Sequence, residues 1–125
     1  MRNDKNHSGR CTKQTFNKHP GICRTYSPIQ LAYAEQLEAD PAVKEFQCNV
    51  PLQDFELTDG SYTTDFLYTR IDGDKAVRET VCRKKLSLPR TGQQLDASRN
   101  YWLRHGITDW AIVIETEDST NAKDT

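Results

Sequence analysis

The amino-acid sequence predicts a single α/β domain in which a mixed sheet is flanked by helices. Three observations lead to this prediction. The chain has 125 residues, a length typical of one domain. Its helix and strand signals follow the order helix, strand, strand, strand, helix, strand. The last signal, Trp110-Ala111-Ile112-Val113-Ile114, is a short apolar run, which is typical of a buried central strand.

Charge divides the chain into segments. We interpret residues 1–26 as a basic, irregular N-terminal arm, residues 27–116 as the folded domain and residues 117–125 as a polar, disordered tail. The arm carries six lysines and arginines and one acid. Net charge is -7 over residues 27–81 and +4 over residues 82–110. An anionic partner near the two basic blocks and ordinary solvated charge explain this pattern equally well.

The first helix has clear signals at both ends. Ser27 is a suitable N-cap, Pro28 fits the first helical position, and Gln30 completes a Ser-x-x-Gln capping box. Apolar residues continue to Ala39, and Asp40-Pro41 then stops the helix. Three strands are predicted after it, over residues 43–52, 61–70 and 75–84.

A tight turn at Asp72-Gly73 joins the second and third of these strands into a hairpin. A second helix follows, with Thr91 as its expected N-cap. Leu95, Ser98 and Trp102 lie at helical spacing, and Gly106 is expected to end the helix in the left-handed conformation.

The lack of long apolar runs indicates the compartment in which the protein resides. The N-terminal residues carry no apolar run of the secretory type. No apolar run approaches the roughly 20 residues that a membrane span needs. We therefore expect a cytoplasmic protein that does not enter a membrane and whose four cysteines stay reduced.

Two acids in the predicted hairpin are candidates for metal chemistry. Asp65 stands inside an otherwise apolar and aromatic strand, and Glu79 lies in the next strand. A buried carboxylate needs a partner, either a cation, a metal or a backbone donor. Two acids that meet beside a cation such as Arg83 have the composition of a Mg²⁺ site that acts on a phosphodiester. A structural ion pair of Glu79 is an equally good explanation.

Four stretches spread over residues 27–115 resemble one known family. They are Ser27-Pro28-Ile29-Gln30-Leu31-Ala32, Thr64-Asp65-Phe66-Leu67, Leu95-Asp96-Ala97-Ser98-Arg99-Asn100-Tyr101-Trp102 and Gly106-Ile107-Thr108-Asp109-Trp110-Ala111-Ile112-Val113. In this order they are similar to the N-terminal catalytic domain of TnsA, the endonuclease subunit of heteromeric DNA transposases, and so to PD-(D/E)xK nucleases. The resemblance implies a restriction-endonuclease-like fold and Mg²⁺-dependent cleavage of DNA.

The catalytic positions implied by this resemblance are only partly kept. Asp65 matches the metal-binding aspartate of the family. Gln30 stands where the family has a glutamate, and it offers a metal only a neutral carbonyl oxygen. The third strand does not have the family's acid and lysine two residues apart. Glu79 in the acid position leaves Val81 in the lysine position, and a shifted site would use Glu79 with Arg83. We therefore take Gln30, Asp65, Glu79 and Arg83 as catalytic candidates, with Asp65 and Glu79 as the metal ligands.

Basic residues near the second helix are the candidates for DNA contact. Lys84, Lys85, Arg90 and Arg99 are expected to bind phosphates independently of sequence. Two functions remain open at this point. One is a Mg²⁺-dependent endonuclease subunit of a transposition machine. The other is an inactive module that binds DNA or a recombinase-type partner. An exposed edge strand would also allow a homodimer.

A separate group of metal-ligand residues lies in the arm. His7, Cys11, His19 and Cys23 follow the spacing His-x3-Cys-x7-His-x3-Cys. This spacing matches no known zinc finger, although zinc takes cysteine and histidine ligands. We therefore expect a flexible basic arm here in preference to a zinc site.

Overall fold

The computed structural model describes residues 11–52 and 62–114. In chain order the elements are β1 (Thr12–Thr15), β2 (Ile22–Thr25), α1 (Pro28–Ala39), β3 (Val43–Pro51), β4 (Thr63–Arg70), β5 (Lys75–Val81), a 3-10 helix (Arg83–Lys85), α2 (Pro89–Arg104) and β6 (Asp109–Ile114). The α/β class is confirmed. None of the described helices has the length and apolar character required to cross a membrane.

Four strands form the main sheet in the order β3-β4-β5-β6. The first three are antiparallel neighbours, and β6 lies parallel to β5. A parallel neighbour needs a crossover, and α2 supplies it. The prediction of a central last strand is wrong, because β6 is at an edge of the described sheet, where Ile112 is 41% exposed.

The two helices pack on opposite faces of the main sheet. Neighbouring residues of a strand point to opposite faces. Phe66 and Ala76 join the buried cluster that contains Ala34 of α1. Val77, which follows Ala76 in β5, joins the second cluster with Trp102 of α2. The sheet is therefore covered on both sides, as an α/β domain requires.

Helix α1 begins and ends at the predicted residues, but the Gln30 side chain does not complete the predicted capping box, because its Oε1 accepts from the N–H of Tyr26 and not from that of Ser27. Its N-cap is Ser27, whose Oγ accepts a hydrogen bond from the backbone N–H of Gln30 at 3.1 Å. Pro28 occupies the first position, and the helix ends at Ala39. Residues at the two ends of the helix thus determine where it begins and where it ends.

The prediction of an irregular arm is wrong for residues 11–26. Strands β1 and β2 form an antiparallel hairpin ahead of α1, so the predicted order of elements is wrong at this end. The hairpin packs on the main sheet, since Cys23 is fully buried and the carbonyl of Lys18 accepts a hydrogen bond from the N–H of Phe46 at 2.9 Å. The first ten residues and the tail predicted at 117–125 lie outside the described residues.

Two further boundaries differ from the prediction. Strand β5 ends at Val81, and the basic residues after it form the 3-10 helix. Thr91 is not a cap, because α2 already begins at Pro89 and Leu88 is its N-cap residue. Gly106 has a φ of 85°, so the left-handed end of this helix is confirmed.

Candidate functional site

The candidate site lies where β4 and β5 stop pairing through their backbones. The described ladder joins residues 66–69 to residues 75–78, although both strands continue. Beyond it, Oε1 of Glu79 accepts a hydrogen bond from the N–H of Asp65 at 3.0 Å. Oδ2 of Asp65 accepts one from the N–H of Thr80 at 2.7 Å. Each carboxylate therefore binds the backbone of the opposite strand, in the place of a ladder carbonyl.

Hydroxyl groups hold both acids in place. Oε2 of Glu79 accepts hydrogen bonds from Thr64 Oγ1 at 2.9 Å and from Ser98 Oγ at 2.7 Å. The Thr80 hydroxyl donates to Oδ2 of Asp65 at 2.7 Å. Both acids are 0% exposed. Buried carboxylates are stable only when donors surround them, and this arrangement supplies such donors from β4, β5 and α2.

Two indole groups of the α2 side support these hydroxyls. Nε1 of Trp102 donates to Thr64 Oγ1 at 2.9 Å, and Nε1 of Trp110 donates to Ser98 Oγ at 3.1 Å. Each hydroxyl thus accepts from an indole and donates to Glu79. Such chains polarise one another and fix a single arrangement of their members.

A buried tyrosine lies beside the two acids. Burial raises the pKa of Tyr62 well above its usual range, and the negative charges of Glu79 and Asp65 raise it further. The phenol therefore stays protonated at neutral pH. It adds a neutral, polar group to the buried junction, by which we mean Asp65, Glu79 and the hydroxyl groups that bind them.

The buried side chain of Gln30 joins two neighbouring segments of the chain by hydrogen bonds. Its side chain is 1% exposed. Oε1 accepts a hydrogen bond from the N–H of Tyr26 at 2.8 Å, and Nε2 donates to Oδ1 of Asn49 at 2.9 Å. The β3–β4 register places Asn49 opposite Asp65. Gln30 is thus separated from the aspartate strand by the Asn49 side chain.

Asn49 marks a change of face in β3. It has a φ of 59°, in the left-handed region that asparagine tolerates better than most residues. Cys48 packs against the cluster on the α1 side, whereas Val50 packs against the cluster on the α2 side. In a regular strand two residues so spaced would share a face. Thr64, the partner of Val50, also reaches α2 through its bond to Trp102.

The basic residues predicted to act beside Asp65 and Glu79 do not lie in the same strand as either acid. Arg83 opens the 3-10 helix and is exposed, so the shifted arrangement of Glu79 and Arg83 on one strand face does not form. Val81, which occupies the lysine position in one of the two predicted registers, is 5% exposed. Lys84, Arg90 and Arg99 are exposed, and Lys85 is half-buried. These four lie on the 3-10 helix and α2, outside the buried junction.

Buried polar residues of α2 extend the junction along the helix. Thr91, Gln94 and Ser98 lie on one helical face, and each is at most 1% exposed. Among the described residues, Oγ1 of Thr91 and both amide atoms of Gln94 have no hydrogen-bond partner. Unsatisfied buried groups are costly, so this part of the helix is a local weak point.

A second cluster contains two of the four arm residues considered above. His19 and Cys23 meet Cys48 of β3, which the sequence pattern did not single out. Cys48 Sγ lies 2.8 Å from Cys23 Sγ and 3.2 Å from His19 Nε2. The contact between the thiols lowers the pKa of Cys23 and raises that of Cys48. Cys11 is outside this cluster, and His7 lies outside the described residues.

Sequence reasoning found the two acids but missed most of their partners. Thr64, Thr80 and Tyr62 carry no pattern that separates them from ordinary strand residues. Ser98 did carry a signal, because a serine at helical spacing between Leu95 and Trp102 is a polar group on a buried face. No known family model matches this chain. A search of curated proteins also found no match.

Proposed function

We propose that this protein docks on DNA through a TnsA-like nuclease fold that no longer cleaves, as a cytoplasmic subunit of a transposition or recombination complex. One observation carries the proposal. The carboxylates of Asp65 and Glu79 are fully buried and accept hydrogen bonds from backbone and hydroxyl groups of their own junction. Acids that are engaged in this way serve the fold, which supports a function without cleavage.

The arrangement of elements supports the restriction-endonuclease-like part of this proposal. From α1 onward the major elements follow the order α1, β3, β4, β5, α2, β6, with the last strand parallel to β5. That is the order on which the resemblance to TnsA rests. Gln30, in the position of the family's glutamate, contacts Asn49, which lies opposite Asp65. The Asn49 side chain thus lies between Gln30 and the aspartate strand.

The residues present do not fit Mg²⁺. This ion requires octahedral oxygen ligands and keeps several waters. Glu79 already accepts three hydrogen bonds, and Oδ2 of Asp65 accepts two. A carboxylate has about four lone-pair sites, so few remain for a metal. Complete burial of both acids also leaves no open side for hydration water.

The basic segment after β5 supports docking on DNA. Residues 82–104 carry six lysines and arginines against one acid, Asp96. Lys84 and Arg99 are exposed and stand on the 3-10 helix and α2 respectively. Contacts of this kind bind phosphates without reading sequence, and their strength falls with salt.

The salt dependence of binding to a DNA duplex tests this proposal. The logarithm of the binding constant falls linearly with the logarithm of the salt concentration, and each cation that binds a phosphate makes this slope steeper by about 0.9. The double variant Lys84→Ala/Arg99→Ala should therefore bind more weakly, with a slope smaller by about 1.8. Fluorescence anisotropy with a labelled duplex at several salt concentrations measures both quantities.

A matched control uses a lysine on an edge strand of the main sheet. Lys44 is exposed on the edge strand β3, so Lys44→Ala removes a charge without touching the basic segment. Its slope should equal that of the wild type. Absence of DNA binding by the wild type, or equal slopes for all three proteins, would refute docking through this segment.

A further inference from the structure

The hairpin β1–β2 meets the edge strand β3 at a cluster of soft metal ligands. His19 comes from the turn of the hairpin, Cys23 from β2 and Cys48 from β3. Their ligand atoms lie within 4.8 Å of one another. The hairpin residues are far from Cys48 in sequence, so the packing of the hairpin on the sheet is what brings the three together.

From this convergence we infer that His19, Cys23 and Cys48 supply three ligands of a Zn²⁺ site that fastens the hairpin to the main sheet, with water in the fourth position. Two thiolates and an imidazole are the ligands that zinc prefers, whereas Mg²⁺ and Ca²⁺ take oxygen. The inference does not depend on the proposed function, because it concerns other residues and another ion.

The ligand atoms lie closer together than in a tetrahedral zinc site. Zinc bonds of about 2.3 Å to sulfur and about 2.0 Å to nitrogen place two sulfurs about 3.8 Å apart, and sulfur and nitrogen about 3.6 Å apart. Cys48 Sγ lies 2.8 Å from Cys23 Sγ and 3.2 Å from His19 Nε2. Entry of the ion therefore requires the sulfurs to separate by about 1 Å.

A disulfide explains the cluster less well than a metal. The sulfur separation of 2.8 Å lies between a covalent bond of about 2.05 Å and the separation of about 3.8 Å between two zinc-bound sulfurs, so it does not distinguish the two. The presence of His19 favours the metal, because a disulfide gives no role to this residue. Its Nε2 is the nitrogen that faces the sulfur of Cys48, and it accepts a long hydrogen bond of 3.4 Å from the N–H of Cys48. An accepting nitrogen carries a lone pair, as a metal ligand must.

The environment of the histidine indicates a site of moderate affinity. The His19 ring is held by packing against Phe46, with ring centroids 5.3 Å apart. Its other nitrogen, Nδ1, is buried and has no hydrogen-bond partner among the described residues. Metal-bound histidines usually donate from this nitrogen, and loss of that partner weakens binding by about 10–100-fold. A strong chelator should therefore remove the zinc.

Zinc would add one more link to an attachment made by hydrogen bonds and by the packing of Phe16 and Cys23 against the cluster on the α1 side. The hairpin turn is held by the carboxylate of Glu38, which accepts from the backbone N–H groups of Asn17 and Lys18 at 3.1 Å each. Asn49 Nδ2 donates to the carbonyl of Arg24 at 2.6 Å. These bonds are partly exposed, so a metal bond to the buried Cys23 would be the firmest attachment.

Metal content and cobalt spectroscopy of the 125-residue chain test this inference. Purified with Zn²⁺ and then dialysed, the wild type should keep about one ion per chain, measured by elemental mass spectrometry. Co²⁺ in place of zinc should give thiolate-to-metal absorption. Cys23→Ser, Cys48→Ser and His19→Ala should each weaken binding by about tenfold or more. Cys82→Ser, outside the cluster, should bind like the wild type.

A measurement on the wild type alone covers the case in which a variant fails to fold. Removal of zinc by a chelator should lower the melting temperature, and added Zn²⁺ should restore it. The inference is overturned if the wild type keeps no zinc and gives no cobalt spectrum. It is also overturned if the metal-free protein is found with a Cys23–Cys48 disulfide that reduction and Zn²⁺ do not replace.

Discussion

Two glutamines are buried to the same extent but differ in their hydrogen bonds. Gln30 and Gln94 are each 1% exposed. The amide of Gln30 bonds to Tyr26 and Asn49. The amide of Gln94 has no partner among the described residues. A buried polar group without a partner destabilises the fold by about 1–3 kcal/mol, whereas a satisfied one does not.

Substitution by methionine, which has a similar shape, should therefore have opposite effects at the two positions. Gln94→Met should raise the free energy of unfolding by about 1 kcal/mol, because an unsatisfied amide is removed. Gln30→Met should lower it by about 2 kcal/mol, because Asn49 and Tyr26 are left without their partner. Urea denaturation measures both values. A strong decrease in the stability of Gln94→Met would mean that its amide has a bound partner in solution.

Asn49 combines an unusual backbone conformation with two side-chain bonds. Its φ is 59°, and its amide bonds to Gln30 and to the carbonyl of Arg24. Alanine would remove both bonds and also meet the left-handed penalty of about 1–2 kcal/mol, which glycine avoids.

We therefore expect Asn49→Ala to be less stable than Asn49→Gly by about 1 kcal/mol. Both should be less stable than the wild type, since both leave Nε2 of Gln30 unsatisfied. Chemical denaturation of the three proteins provides the comparison. Equal stability of the two variants would show that the backbone conformation at this position contributes nothing.

Among the helices and strands, the elements that the sequence predicts well are those set by local signals. Ser27 and Pro28 fix the start of α1, and Gly106 fixes the end of α2. The predicted bounds of β3, residues 43–52, agree with the structure to within one residue, because Asp40-Pro41 ends the preceding helix and Val43 begins the apolar residues of the strand. These features depend on neighbours in the chain, so they can be predicted without knowledge of the fold.

The missed elements depend on contacts between distant residues. The hairpin β1–β2 has few apolar residues, and its burial comes from Cys23 against β3 and α1. The apolar run of β6 is typical of a central strand, but this strand lies at the edge of the described sheet. The change of face at Asn49 and the donors around Glu79 likewise arise from packing.

An ion-pair cluster joins the starting end of β6 to two other strands. Asp109 of β6 pairs with Arg70 of β4 and, at 2.9 Å, with Arg78 of β5. Burial alone would raise the pKa of Asp109, but the hydrogen bonds and charges of the two arginines outweigh it and lower the pKa below its usual range. The charged form of Asp109 is thus favoured in the folded protein.

This shift predicts a pH dependence of stability. A lowered folded pKa adds stability that is fully present above the unfolded value of about 3.9 and is lost as pH falls through the folded pKa. Asp109→Asn should therefore be less stable than the wild type at pH 7 by at most about 1 kcal/mol, since the group is partly exposed. The difference should shrink below about pH 4. Unfolding curves at several pH values test this, and a constant difference would contradict it.

Over the whole molecule, the buried acids and the exposed cations occupy different places. The two acids expected to bind metal are inside, among donors from β4, β5 and α2. Cations expected to contact DNA are outside, on the 3-10 helix and α2. Both sets of residues were predicted from the sequence, and the burial of the two acids is the observation that favours the proposed docking over the proposed cleavage.

Nicking of supercoiled plasmid with Mg²⁺ or Mn²⁺ decides between these two kinds of protein. Wild type and Asp65→Asn are compared at low salt, at protein concentrations that shift the plasmid in a gel. We predict binding by the wild type and no metal-dependent nicking. Nicking by the wild type that Asp65→Asn abolishes would contradict this prediction and show that Asp65 and Glu79 hold a working metal site.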